Sequence, residues 1–116
     1  MAGAFNETKG TQLAAEVKVA RSMWARFWGL MGRRSLPDDT GLFITPCSSV
    51  HTFFMRFAID VIFLDRAGRV VKVAAAMKPW RTALGGSGAH SVLELNADTA
   101  QARGLEVGDS LQLPER

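Results

Sequence analysis

Val50-His51-Thr52-Phe53-Phe54-Met55-Arg56-Phe57-Ala58-Ile59-Asp60-Val61-Ile62-Phe63-Leu64-Asp65 is the stretch on which the reading of this chain turns. In extended conformation its odd positions (His51, Phe53, Met55, Phe57, Ile59, Val61, Phe63) share one face, and its even positions (Thr52, Phe54, Arg56, Ala58, Asp60, Ile62, Leu64) the other. Both faces are largely apolar. Fully extended, the run would reach roughly 50 Å, far beyond an ordinary strand, so a bend or bulge around Arg56 to Ile59 should make two strands of it. Arg56 and Asp60 are costly residues to place among Phe, Met and Ile. Their presence points to a structural ion pair fixing the bend or to a site.

Working outward, Asp65-Arg66-Ala67-Gly68 has a turn acid at its start and Gly where a left-handed conformation helps, with apolar Val70 to Ala75 beyond it. This is the clearest hairpin. Upstream, Leu42 to Thr45 reads as a short strand running into Pro46, and Gln12 to Ala20 alternates as a half-buried strand. Between them the period turns helical from Arg21 to Met31, where Trp24, Phe27, Trp28 and Met31 share a face that would cap the core. Gly32 stops that helix. Downstream, Lys78 to Ala89 reads as a loop, with glycines at 85, 86 and 88 that match no phosphate-binding pattern. His90 to Leu95 reads as a strand, Asn96 as the N-cap of a helix from Ala97 to Arg103, Gly104 as its stop, and Ser110 to Leu113 as the last strand. The expected fold is mostly β: a curled antiparallel sheet, sandwich or barrel-like, with two short helices.

At 116 residues, with 47% hydrophobic and 22% charged residues, the chain suits one domain spanning 1–116 with a real core. Residues 1–10 are expected to be a flexible tail. No apolar run approaches the roughly 20 residues of a membrane-spanning helix, and the first nine residues lack a basic start followed by an apolar stretch, so a cytoplasmic location is expected. The single Cys cannot form an internal disulfide. Net charge is +3, with Lys18, Arg21, Arg26, Arg33 and Arg34 falling between Val17 and Leu36 without an acid. That patch reads first as a solvated helix face and its last turn, or else as the surface of an interaction module. Nucleic acid is not favoured as a partner, because no ribonucleoprotein or helix-turn-helix signature is present.

Gly29-Leu30-Met31-Gly32-Arg33, the Val50–Asp65 stretch, Gly68-Arg69-Val70, Leu93-Glu94-Leu95, Gly104-Leu105 and Gly108-Asp109 together resemble the family called domain of unknown function 192, over about 17–113. The resemblance implies a mostly-β, sandwich-like domain carrying small helices, and no established reaction. Many such relatives are exported, and many carry Trp and Met before a Lys and Asn at the site of Phe54 to Phe57.

Several site readings follow from the residues themselves. Cys47 with His51 would serve as a thiol and its base in a hydrolase or transferase, but four extended residues separate them by roughly 13 Å unless Ser48-Ser49 turns the chain or His90 is the partner. A buried structural Cys is the simpler reading. Zinc is not expected, because Cys47, His51 and His90 form no close ligand pair. Asp60 with Glu94 as the paired carboxylates of glycoside hydrolysis lacks any fixed separation. The favoured reading is noncatalytic binding of a small or extended ligand (a small molecule, sugar or peptide), without a cofactor. The pocket would lie near His51, Met55, Arg56 and Asp60, with Phe53, Trp80 and Glu94 beside it.

Overall fold

The computed structural model of the chain describes residues 3–21, 36–53 and 55–114. Its largest sheet has five strands in the order β3 (Glu16–Ala20), β4 (Thr40–Ile44), β9 (Ser91–Asn96), β6 (Ile59–Leu64) and β7 (Val70–Met77). A three-stranded sheet places β1 (Ala4–Asn6) between β10 (Leu111–Gln112) and β2 (Thr11–Ala14). β5 (Ser49–His51) and β8 (Thr82–Leu84) form a separate two-stranded ribbon. The one helix among the described residues is α1 (Thr99–Ala102). The expected helix at Arg21 to Met31, with Trp24 and Trp28 and the flanking Arg26, Arg33 and Arg34, falls almost wholly outside the described residues.

All six residues of β6 are buried, which explains why both faces of that stretch are apolar. Ile62 and Leu64 join Phe43, Leu93 and Leu95 on one side of the large sheet, closed by Ala4, Leu13, Ala14, Leu111 and Leu113 of and beside the small sheet. Ile59, Val61 and Phe63 join Leu42, Ile44 and Val92 on the other, where Val50, Met55 and Met77 pack with Ala83 of the ribbon. Each buried side chain of this size contributes roughly 1.5–3 kcal/mol. Two cores thus share one sheet. The sheets stay open among the described residues rather than closing into a barrel, and β3 pairs with β4 in parallel, so the architecture is not wholly antiparallel.

The run from Val50 to Leu64 does break: β5 ends at His51 and β6 starts at Ile59, and β5 pairs with β8 rather than with the large sheet. The hairpin forms as read: Asp65 Oδ1 accepts the Ala67 and Arg69 N–H groups, each at 2.9 Å, and Gly68 sits at φ 85°. Gln12 to Ala20 is two strands in two sheets. The chain crosses over at Ala15, where the Ala15 and Glu16 N–H groups both reach the Asp39 carbonyl at 2.8 and 3.2 Å. The stretch read as a loop, Lys78 to Ala89, contains β8, too short to announce itself. Its Gly85 is required by packing, since a Cβ there would lie 2.5 Å from Phe63. Asn96 does not cap α1: its amide exchanges hydrogen bonds with the Leu36 backbone, each at 3.1 Å.

Instead of a flexible tail, residues 4–6 are the middle strand of the small sheet. Asn6 explains the anchoring. Its Nδ2 donates to Asp109 Oδ2 at 2.8 Å, and its Oδ1 accepts the Thr8 and Lys9 N–H groups. Asp109 also accepts the Glu106 N–H at 2.9 Å and lies 3.2 Å from Lys9 Nζ, which itself bonds Glu106. Burial alone pushes the Asp109 carboxyl up, but the Glu106 N–H, the Asn6 amide and Lys9 together hold it below its ordinary value. A carboxylate with a depressed folded pKa contributes stability above its unfolded pKa, about 3.9, and loses it as pH falls through the folded value. Urea unfolding should therefore show Asp109→Asn less stable at neutral pH by about 1–3 kcal/mol, with the gap to wild type closing in acid. A gap that widens in acid would contradict this network.

Candidate functional site

The ribbon pairs Ser49 with Leu84, Val50 with Ala83 and His51 with Thr82. Val50 and Ala83 face the core, so the alternation of strand side chains puts Ser49, His51, Thr82 and Leu84 on the outer face. One residue beyond, Thr52 is wholly buried and carries the pairing onward. Its N–H donates to the Arg81 carbonyl at 2.9 Å, its hydroxyl donates to the Lys78 carbonyl at 2.6 Å, and that hydroxyl oxygen accepts the Arg81 N–H at 2.9 Å. The Thr52 carbonyl accepts the Trp80 N–H at 3.0 Å. Phe53 is thereby set opposite Trp80. The rings of Phe53 and Trp80 stack with centroids 5.8 Å apart, and Phe53 stacks on His51 at 4.9 Å.

Trp80 is held at φ 62°, a left-handed conformation that a bulky side chain adopts only when its surroundings impose it. It is also 56% exposed, with Phe53 at 39% and Leu84 at 64%. Two register pairs, Ser49 with Leu84 and His51 with Thr82, and the ring pair Phe53–Trp80 beyond them thus make an outer face that carries exposed apolar surface. Arg81 Nη1 folds back to within 3.4 Å of the Trp80 carbonyl.

Of the residues read as ligand-binding, His51, Phe53 and Trp80 are brought together. The others are not. Met55 is buried in the second core, and Arg56 is exposed. Asp60 is wholly buried, and its carboxylate is engaged by backbone: Oδ1 accepts the Ala76 N–H at 2.8 Å and the Asp98 N–H at 3.2 Å, and Oδ2 the Ala100 N–H at 2.8 Å. It holds a bend in β7, where Ala76 has φ 49°, and the start of α1. The expected partnership with Arg56 is replaced by three amides. Glu94 is likewise buried, opposite Val61 in register, so it lies on the other side of the sheet from Asp60. The two carboxylates cannot converge on one glycosidic bond.

Cys47 is half-buried against the second core, its thiol donating to the Ser49 carbonyl at 3.0 Å. Its N–H donates to the His90 carbonyl at 2.8 Å, so it is the backbones of Cys47 and His90 that meet. Among the described residues, no three of His, Cys, Asp and Glu gather as a metal-binding set. What the sequence does not disclose is Thr52, together with the outer-face positions Ser49, Thr82 and Leu84. No short-range pattern links Thr52 to a turn at Lys78–Arg81.

The profile of the family DUF192, described as Uncharacterized ACR, matches residues 4–113. The chain belongs to that family. Similar proteins include a UPF0127 protein of Pyrococcus furiosus, 38% identical over 93% of this chain and 95% of the relative, and one of Pyrococcus horikoshii, 36% identical over 92% and 95%. Among solved structures, a protein of unknown function from Novosphingobium aromaticivorans superposes with a TM-score of 0.76 at 23% identity, covering 97% of this chain and 94% of its own. A Sinorhizobium meliloti protein described as a putative transcription regulator gives 0.77 at 22%, covering 95% and 89%. These two likenesses concern the fold. None of the names states a reaction for the DUF192 family.

Separating the structural carboxylate from the exposed cation is straightforward. Asp60→Asn replaces one acceptor oxygen by an amino group facing an N–H, and should cost about 3 kcal/mol in urea unfolding. Arg56→Ala should change stability by less than about 0.5 kcal/mol. Equal losses, coupled in the double mutant, would reinstate the ion pair.

Proposed function

We propose that this member of the DUF192 family is a noncatalytic binding domain that takes an extended ligand along the outer face of the β5–β8 ribbon. The observation that carries the reading is the Phe53–Trp80 pair, held out in solvent by a buried threonine. A left-handed backbone at a residue such as Trp80 costs about 1–3 kcal/mol, and a ring more than half exposed recovers little of that through burial. Strain concentrated at an exposed aromatic is characteristic of recognition surfaces. The reading moves the expected pocket: His51 and Phe53 stay in it, Trp80 becomes its centre, and Met55, Asp60 and Glu94 leave it. A thiol mechanism receives less support, because the Cys47 thiol is turned to the Ser49 carbonyl, and the contact between Cys47 and His90 is one of backbone.

Amide-resolved NMR tests the proposal directly. Short oligonucleotides, acidic peptides and oligosaccharides would be titrated separately into labelled protein. At least one class should shift resonances clustered at residues 49–53 and 78–84, with loss of those shifts in Trp80→Ala. Shifts confined to the three-stranded sheet, or none from any class, would contradict a binding face on the ribbon.

A further inference from the structure

Resting on that reading, the composition around the ribbon narrows the ligand. The sequence on either side of the two ribbon strands, 47–59 and 77–92, contains Arg56, Lys78, Arg81, His51 and His90 and not one Asp, Glu, Asn or Gln. Side-chain donors abound there, and the only side-chain oxygens are hydroxyls of Ser and Thr. Such a surface suits a ligand that brings its own acceptors and negative charge. A neutral sugar, whose hydroxyls call for carboxylate or amide acceptors, fits it poorly.

The cations also lie at both ends of the aromatic strip. Arg81 Nη1 lies 3.4 Å from the Trp80 carbonyl, and at the other end Lys72 donates to the Leu84 carbonyl at 2.7 Å while its ammonium lies 5.9 Å from the Phe63 ring centroid. From the Ser49–Leu84 pair to the Phe53–Trp80 rings is four residues along each arm, roughly 13 Å at strand spacing. That exceeds a single planar ring. It suits a chain with negative charge repeated along it and flat groups able to lie on exposed aromatic surface. We infer that the ribbon's outer face, with Trp80 and Phe53 as stacking surfaces, Arg81 and Lys78 on the turn that carries Trp80 and Lys72 at the far end, binds single-stranded nucleic acid without strong sequence preference. Stacked bases supply contact with the rings, and phosphates meet the cations. Phe53 and Trp80 are far apart in sequence, so this surface forms no linear signature.

Fluorescence anisotropy tests the inference on the full chain, with labelled oligothymidylate and oligouridylate, a duplex of the same length, polyglutamate and polygalacturonate. The single strands should bind at low salt, and more tightly than the duplex. Trp80→Ala should weaken them about 5- to 150-fold, the range expected for one stacked base, with circular dichroism and the melting temperature little changed. Each of Lys78→Ala and Arg81→Ala should flatten the slope of log affinity against log salt by about 0.7. If polyglutamate or polygalacturonate binds with the same dependence on Trp80 and the oligonucleotides do not, the ligand class is wrong while the binding face stands. If the oligonucleotides bind but Trp80→Ala leaves affinity unchanged, the placement is wrong. If none of the probes binds, the inference and the binding reading fall together.

Discussion

The hydroxyl of Thr52 is the constraint on which the exposed side of this protein depends. It is wholly buried, it gives its proton to the Lys78 carbonyl, and it takes the Arg81 N–H in return. A valine of the same shape could make neither bond, leaving a donor and an acceptor unmatched beneath the turn, at about 1–3 kcal/mol each. With the hydroxyl in place the ribbon extends past its last regular pair, and the turn carrying Trp80 closes against Phe53. The sheet below supplies a floor: Val50 and Ala83 rest on the core around Phe63, and Gly85 lets the chain pass close over that ring.

A second polar knot does the corresponding work inside. Asp60, second residue of the most apolar strand, collects amides from β7 and from the start of α1. A carboxylate there would be prohibitively costly without partners, and three N–H groups meet that need from backbone that would otherwise lack an acceptor. On the same side of the sheet, Asn6 and Asp109 bolt the first strand to the turn before the last one. The large sheet is thus clamped between a small sheet fastened by side chains and a ribbon fastened by one hydroxyl, and the ribbon carries the exposed rings.

How far the sequence disclosed this depends on whether the deciding contact was local. The β6–β7 hairpin was legible because Asp65 and Gly68 state the turn within four residues. The break in the Val50–Leu64 run was legible from its length alone. Asp60 was misassigned for a physical reason: its partners are backbone amides, which no pattern of side chains reports, whereas Arg56, four residues before it, offers an obvious opposite charge. Residues 4–6 gave no sign of being a central strand because three residues cannot show a period, and the glycine-rich stretch hid β8 for the same reason. Of the candidate site, His51, Phe53 and Trp80 could be named individually. Their convergence rests on a register set by Thr52 across more than twenty residues of intervening chain.

The most direct measurement is the set of nuclear Overhauser contacts between the Phe53 and Trp80 rings, recorded for wild type and for Thr52→Val. The account predicts clear ring-to-ring contacts in the wild type and their loss in the variant, while the amide resonances of Ile59–Leu64 and Ser91–Asn96 keep their positions. Contacts that survive Thr52→Val unchanged, or that are missing from the wild type, would contradict the claim that one buried hydroxyl presents this surface.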